Sequence, residues 1–80
     1  MTDEQIIERL SGVFQDVIEG VRFELDVGMD SVPEWDSLTH TQLLMAIEEA
    51  FSIELQFEDA IEMISGEAIV GKIRRYVEKA

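Results

Sequence analysis

Hydrophobic residues recur at helical spacing along the first quarter of the chain. Thr2 and Gln5 form a Thr-x-x-Gln helix-start signature, with acidic residues between them. Gly20 is a suitable residue to end the helix. The pattern therefore predicts a first helix with one apolar side, formed by Ile6, Leu10, Val13, Phe14, Val17 and Ile18.

The second half of the chain predicts two more long helices and a short one. Asp36 and Ser37 occupy a cap position, and the second helix is expected from about Ser37 to Phe51. A short helical turn is expected from Glu58 to Met63, and Ser65 is expected to cap the last helix. The predicted core consists of Leu43, Ile47, Phe51, Ile61, Ile64, Ile69 and Ile73.

Two other segments alternate between apolar and polar residues with a period of two. They run from Val21 to Gly28 and from Ile53 to Phe57. The segments could pair as a two-stranded ribbon, but such a ribbon is marginal on its own. Extended loops that place apolar residues in a helical core are the alternative, and the periodicity leaves both open.

The composition restricts the classes of partner. Eighteen acidic and six basic residues give a net charge of −12, which repels nucleic acid and anionic membrane surfaces and favours basic protein surfaces. The chain has no cysteine, so thiol chemistry needs a sulfur from outside. The acidic N-terminus fits no targeting signal, and the longest apolar run is too short to span a bilayer. We expect a single monomeric domain over residues 1–80, located in the cytoplasm.

Ser37 is the candidate site of chemistry. It is predicted to lie on the first turn of a helix, behind an acidic loop. Unpaired backbone N–H groups and the positive end of the helix dipole would stabilise an anion attached to this serine. The alternative is that Ser37, or Asp36, only caps the helix, which is the usual role of these residues at this position.

The sequence around Ser37 resembles the acyl carrier proteins. Asp36-Ser37-Leu38 and the following helix, Leu43 to Phe51, are similar to that family's Asp-Ser-Leu motif and second helix. The similarity continues in Ile53–Leu55, in Phe57–Ala60 and at the entry to the last helix, so it covers nearly the whole chain. The resemblance implies an all-α four-helix bundle with three longer helices and a short third helix. It also implies that both alternating segments are loops.

A carrier and not an enzyme is implied by this resemblance. In the family, the serine bears 4′-phosphopantetheine, so a phosphopantetheinyl transferase is expected to attach this group to Ser37. Acyl-loading ligases or synthases with basic docking patches are the other expected partners. Asp36 is implied to help position Ser37 and the metal of the transferase, and Leu38 to meet an apolar partner surface. The implied partner-recognition residues are Trp35, Leu38, Met45, Glu48 and Glu49.

The chain departs from the type II fatty-acid carriers after the serine. Those carriers usually have Asp-Ser-Leu-Asp-Thr-Val-Glu-Leu, whereas Thr39 and Gln42 replace the two later carboxylates here. Trp35 also replaces a small residue. We therefore expect a specialised stand-alone carrier for a lipid, polyketide or other acyl-transfer pathway. The alternative from another class is an unmodified carrier-like domain that acts as a protein-interaction subunit.

Other kinds of site fit the sequence poorly. Ser37, His40 and Asp36 are too close along one helix end to build a hydrolase triad with its pocket, and His40 is expected to be an exposed helix residue. The acidic loop misses the spacing of a calcium loop, so no metal site is expected. Met45 and Met63 are interpreted as core or gap-filling residues. Trp35 is either a docking aromatic or a lid on the core.

Overall fold

The described part of the protein consists of four helices joined by loops. The computed structural model describes residues 1–79, with the backbone alone for Lys79. The helices are α1 (Asp3–Val17), α2 (Ser37–Phe51), α3 (Phe57–Ala60) and α4 (Gly66–Lys79), and the described residues contain no strand. This confirms the all-α bundle with three longer helices and a short third one. No helix in residues 1–79 is both long enough and apolar enough to cross a membrane.

The start of α1 is fixed by the predicted reciprocal cap. The Thr2 side chain accepts a hydrogen bond from the Gln5 backbone N–H at 3.2 Å, and the Gln5 side chain accepts one from the Thr2 N–H at 2.8 Å. These bonds satisfy two N–H groups that have no partner within the helix. The helix ends at Val17, and Gly20 follows with a positive φ of 81°.

The core forms where α1 packs against α2 and α4. At its centre, the Phe14 ring lies edge-on to Phe23 and to Trp35, with ring centroids 5.4 Å apart in both pairs. Edge-on aromatic contacts of this kind add to the stabilisation from burial. Five of the predicted core residues are buried, namely Leu43, Ile47, Phe51, Ile69 and Ile73.

The predicted core positions of Ile61 and Ile64 are wrong. These side chains are 59% and 46% exposed, respectively, while Met63 between them is completely buried. The predicted helix from Glu58 to Met63 ends early, at Ala60, and the chain then turns. A single helical turn contains too few residues for its sequence to define which side faces the core.

The loop between α1 and α2 is anchored on the start of α4. The backbone N–H groups of Met29, Gly66 and Glu67 donate to the carbonyls of Ile64, Val27 and Leu25, at 3.0, 2.9 and 2.9 Å. The alternating segment from Val21 to Gly28 is therefore a loop, and its Phe23 side chain enters the core. The other alternating segment does not pair with it and is a loop up to Gln56, with Phe57 as the first residue of α3, so the loop alternative is confirmed.

The close approach at Gly66 generates a prediction about stability. A Cβ atom on Gly66 would lie 2.1 Å from the Glu24 carbonyl oxygen, which is backbone and cannot move away easily. Gly66→Ala should therefore lower the free energy of unfolding by about 1–3 kcal/mol, as overpacking usually does. Urea unfolding of the variant and the wild type measures this difference.

Gly71→Ala is the matched control for that substitution. Gly71 lies in the same helix, and a Cβ atom there meets no heavy atom within 4 Å apart from its chain neighbours and the nearby backbone of its own helix. This variant should be more stable than the wild type by about 0.5–1 kcal/mol, because alanine favours helix more than glycine does. Equal effects of the two substitutions would contradict the close approach at Gly66.

Candidate functional site

Asp36, and not Ser37, caps the second helix. Its backbone is extended, and its Oδ1 accepts a hydrogen bond from the Thr39 N–H at 2.9 Å. The backbone carbonyl of Asp36 accepts the first helical bond from His40 N–H at 2.8 Å. The hydrogen bond from the Thr39 backbone lowers the pKa of the Asp36 carboxyl, so this group is ionised at neutral pH. Ser37 is therefore not the capping residue, a point that the residue pattern alone left open.

Ser37 is the first residue of α2, and its side chain is exposed. Its carbonyl accepts a hydrogen bond from Thr41 Oγ1 at 3.1 Å, whereas its own hydroxyl contacts no hydrogen-bond partner among residues 1–79. The positive end of the helix dipole lies at this position. An anionic group covalently attached to Oγ would meet both solvent and a favourable field there.

The structure corrects the assignment of Trp35 to the partner-recognition residues. Its side chain is only 1% exposed and packs edge-on against Phe14 in the core. The indole N–H donates to Nδ1 of His40 at 3.0 Å, so its one polar group is satisfied in this buried position. The core alternative is therefore right, and the docking alternative is wrong because a partner cannot reach the ring.

His40 is also placed differently from its prediction. It is half-buried and not exposed, and its two ring nitrogens contact separate parts of the fold. Nδ1 accepts from the Trp35 N–H, and Nε2 lies 3.1 Å from the Ala60 carbonyl oxygen. Since a carbonyl oxygen only accepts hydrogen bonds, Nε2 carries the proton and donates a hydrogen bond to the Ala60 carbonyl. Neither nitrogen is available as a base for Ser37, which agrees with the rejection of a hydrolase triad.

An exposed face of α2 extends from Ser37. Leu38 and Met45 are 70% and 64% exposed, and Glu49 is exposed as well. Residues 38, 45 and 49 project from one side of the helix, given 3.6 residues per turn. The interpretation as a core or gap-filling residue is therefore wrong for Met45, whereas the core position of Met63 is confirmed.

Glu48 has a structural contact that the sequence analysis missed. It is half-buried, and its Oε2 accepts a hydrogen bond from the Leu55 N–H at 2.9 Å. This bond attaches the loop after α2 to the helix itself. The role of Glu48 in partner recognition stays a prediction. One of its two carboxylate oxygens already accepts a hydrogen bond within the fold.

Polar contacts connect α3 with α4. Lys72 Nζ lies 2.9 Å from Asp59 Oδ1, and Tyr76 donates its hydroxyl to Asp59 Oδ2. The Tyr76 oxygen in turn accepts from the Gln56 N–H at 2.8 Å. These three side chains also line a cavity of about 230 Å³, together with Gln56 and Arg75. The hydrogen bond from Tyr76 has the largest effect on the pKa of the Asp59 carboxyl and lowers it. The hydrogen bond from Lys72 lowers this pKa further.

Comparison with known proteins decides the family. No model of a known protein family matches the chain. An acyl carrier protein from Wolinella succinogenes is 36% identical to it over 75 residues, which cover 94% of this chain and 86% of that protein. The chain belongs to the acyl carrier protein family. Because acyl carrier proteins are carriers and not enzymes, the non-enzymatic function that the resemblance implied is confirmed.

The site fits the prosthetic group that acyl carrier proteins generally bear. 4′-Phosphopantetheine needs an accessible hydroxyl. The Ser37 side chain is exposed, and its Oγ has no described hydrogen-bond partner. The phosphate of the group is an anion, which suits a helix N-terminus. In the described residues no group of three or more His, Cys, Asp and Glu side chains could bind a metal ion. The fit thus depends on Ser37 and on the start of α2.

The lowered pKa of Asp59 predicts how its contribution to stability depends on pH. Because the folded protein favours the carboxylate, the contribution is complete above about pH 4 and is lost as pH falls through the folded pKa. Asp59→Asn should therefore be less stable than the wild type at pH 7, with a difference that shrinks towards pH 3. Thermal unfolding at several pH values measures this.

Asp26→Asn is the matched control, because it removes the same charge from an exposed loop position with no described hydrogen bond. It corrects for the relief of charge repulsion in a chain of net charge −12. Equal stability of the two variants at pH 7 would show that the contacts of Asp59 with Tyr76 and Lys72 contribute nothing.

Proposed function

We propose that this acyl carrier protein holds its acyl group on a 4′-phosphopantetheine arm attached to Ser37. The observation that carries the proposal is the exposed Ser37 hydroxyl, which lies at the start of α2 without a described partner. When bound, the arm supplies a terminal thiol that holds the acyl group as a thioester. This thiol replaces the cysteine that the chain lacks.

Coenzyme A is the proposed source of the arm, and a phosphopantetheinyl transferase the proposed catalyst. The Ser37 oxygen loses its proton and forms a new bond to phosphorus. The pyrophosphate bond of coenzyme A breaks, and adenosine 3′,5′-bisphosphate leaves. Asp36 contributes by fixing the first turn of α2 through Thr39, so that Ser37 keeps a defined orientation for the transferase.

The proposed partner surface is the exposed α2 face of Leu38, Met45 and Glu49. Two apolar side chains and a carboxylate favour a partner with a hydrophobic depression beside basic residues. Thr39 and Gln42 provide no charge where fatty-acid carriers have carboxylates, so this surface depends more on apolar contact. We infer a specialised acyl-transfer pathway, with loading ligases or synthases that act in the cytoplasm.

Intact mass spectrometry tests the attachment. Unmodified, folded protein is incubated with coenzyme A, magnesium and a broad-specificity phosphopantetheinyl transferase. The wild type should gain the mass of one phosphopantetheine, and Ser37→Ala should gain nothing. Ser11→Ala, which removes a serine hydroxyl from α1, should gain the same mass as the wild type. An unchanged wild-type mass, or a gain in Ser37→Ala, would contradict the proposal.

A further inference from the structure

The helix α3 is positioned by polar contacts more than by burial. None of its four residues is buried, and Phe57 at its start is 66% exposed. On the α4 side, Asp59 contacts Lys72 and Tyr76. On the α2 side, the described hydrogen bond comes from His40 to the Ala60 carbonyl. The buried Met63 side chain anchors the turn that follows α3, while these bonds hold the residues of α3 itself.

His40 connects three elements with one ring. Its Nδ1 accepts from Trp35, which lies in the loop before α2, and its Nε2–H donates to Ala60, at the end of α3. The ring also lies 5.9 Å from the indole ring, centroid to centroid, in a tilted arrangement. We call these contacts the Trp35–His40–Ala60 bridge. It begins within one turn of Ser37 on α2.

We propose that neutral His40 is a positioning residue, which fixes α3 against the Ser37 end of α2 through the Trp35–His40–Ala60 bridge. The bridge requires one nitrogen that accepts and one that donates, and only the neutral imidazole has both. Protonation places a second N–H on Nδ1, opposite the Trp35 N–H, and removes the acceptor. Loss of the bond from Trp35 releases the ring that donates to Ala60, and this couples the position of α3 to the protonation state of one side chain.

The charged groups around the bridge do not compensate for protonation. At the start of α2, Asp36 directs Oδ1 to the Thr39 N–H, and on α3, Asp59 is engaged by Lys72 and Tyr76. Within residues 1–79, no carboxylate forms an ion pair with the His40 ring. The pKa values of the Asp36 and Asp59 carboxyl groups are both lowered, so these groups stay ionised throughout the pH range of the experiment below.

Nuclear magnetic resonance of the unmodified protein tests the bridge. The Trp35 indole N–H, the His40 ring and the backbone amides of residues 59–62 are followed from pH 7.5 to pH 5. All three sets of resonances should shift with one common midpoint, because protonation of Nδ1 breaks the bond from Trp35 and displaces the ring that donates to Ala60. Amides of residues 59–62 that do not follow the titration of the His40 ring would overturn the proposal.

Substitutions at His40 separate positioning from general packing. His40→Gln retains an acceptor and a donor but does not titrate, so its Trp35 and α3 resonances should show no step between pH 7.5 and 5. His40→Leu retains bulk without either polar group, and its α3 amides should already resemble those of the wild type at the acidic end of the titration. A step that persists in His40→Gln would overturn the proposal. The wild-type titration still tests it if either variant fails to fold.

The importance of this bridge for acyl carriage rests on the proposed function, but the titration does not. All measurements use the protein without an arm on Ser37. A common titration midpoint with no mass gain at Ser37 would refute the proposed function alone. A mass gain at Ser37 without a common midpoint would refute the role of His40 alone.

Discussion

Burial of the Trp35 indole is the constraint on which the arrangement around Ser37 depends. The ring packs edge-on against Phe14 of α1, and its N–H donates to His40 of α2. The largest side chain of the protein thus enters the core two residues before an exposed serine. This anchoring explains how a hydroxyl can be accessible to other proteins while the backbone that bears it stays fixed. Through His40, the same constraint extends to α3.

Several basic residues stabilise contacts between elements of this acidic protein. Arg74 of α4 makes a two-point contact with Asp3 of α1, at 2.8 and 2.7 Å. Arg9 lies over the Phe51 ring, with its guanidinium carbon 5.5 Å from the ring centroid. Lys72 binds both Asp59 and Glu62. Individual surface ion pairs contribute little, but these contacts oppose the mutual repulsion that a net charge of −12 imposes on the compact state.

The sequence predicted those parts of the fold that local chemistry determines. The cap at Thr2 and the bounds of α2 agree with the structure because capping and helical periodicity act within a few residues. The predicted burial of Ile61 and Ile64 was wrong, because a single helical turn has too few residues to show which of its sides faces the core. The close approach at Gly66 depends on a loop about forty residues earlier in the chain, so no local pattern could reveal it.

The candidate site also has features that the sequence could predict and features that it could not. Ser37 and its position on the first turn could be predicted from the motif and the cap, whereas the burial of Trp35 could not. Trp35 and His40 lie on either side of the helix start, five positions apart, and an indole N–H needs a partner when buried. That combination was the available signal for their hydrogen bond. Ala60, the third member, is twenty residues further along the chain than His40 and becomes a partner only through tertiary packing.

Ser37 is proposed to bear an acyl-carrying arm in the cell. The most direct test is the intact mass of the protein isolated from the cells that produce it, before and after treatment with neutral hydroxylamine, which cleaves thioesters. The mass should exceed that of the polypeptide by one phosphopantetheine, localised to Ser37 by fragmentation, with a further acyl fraction that hydroxylamine removes. A polypeptide that carries no added mass at Ser37 would contradict the proposed attachment.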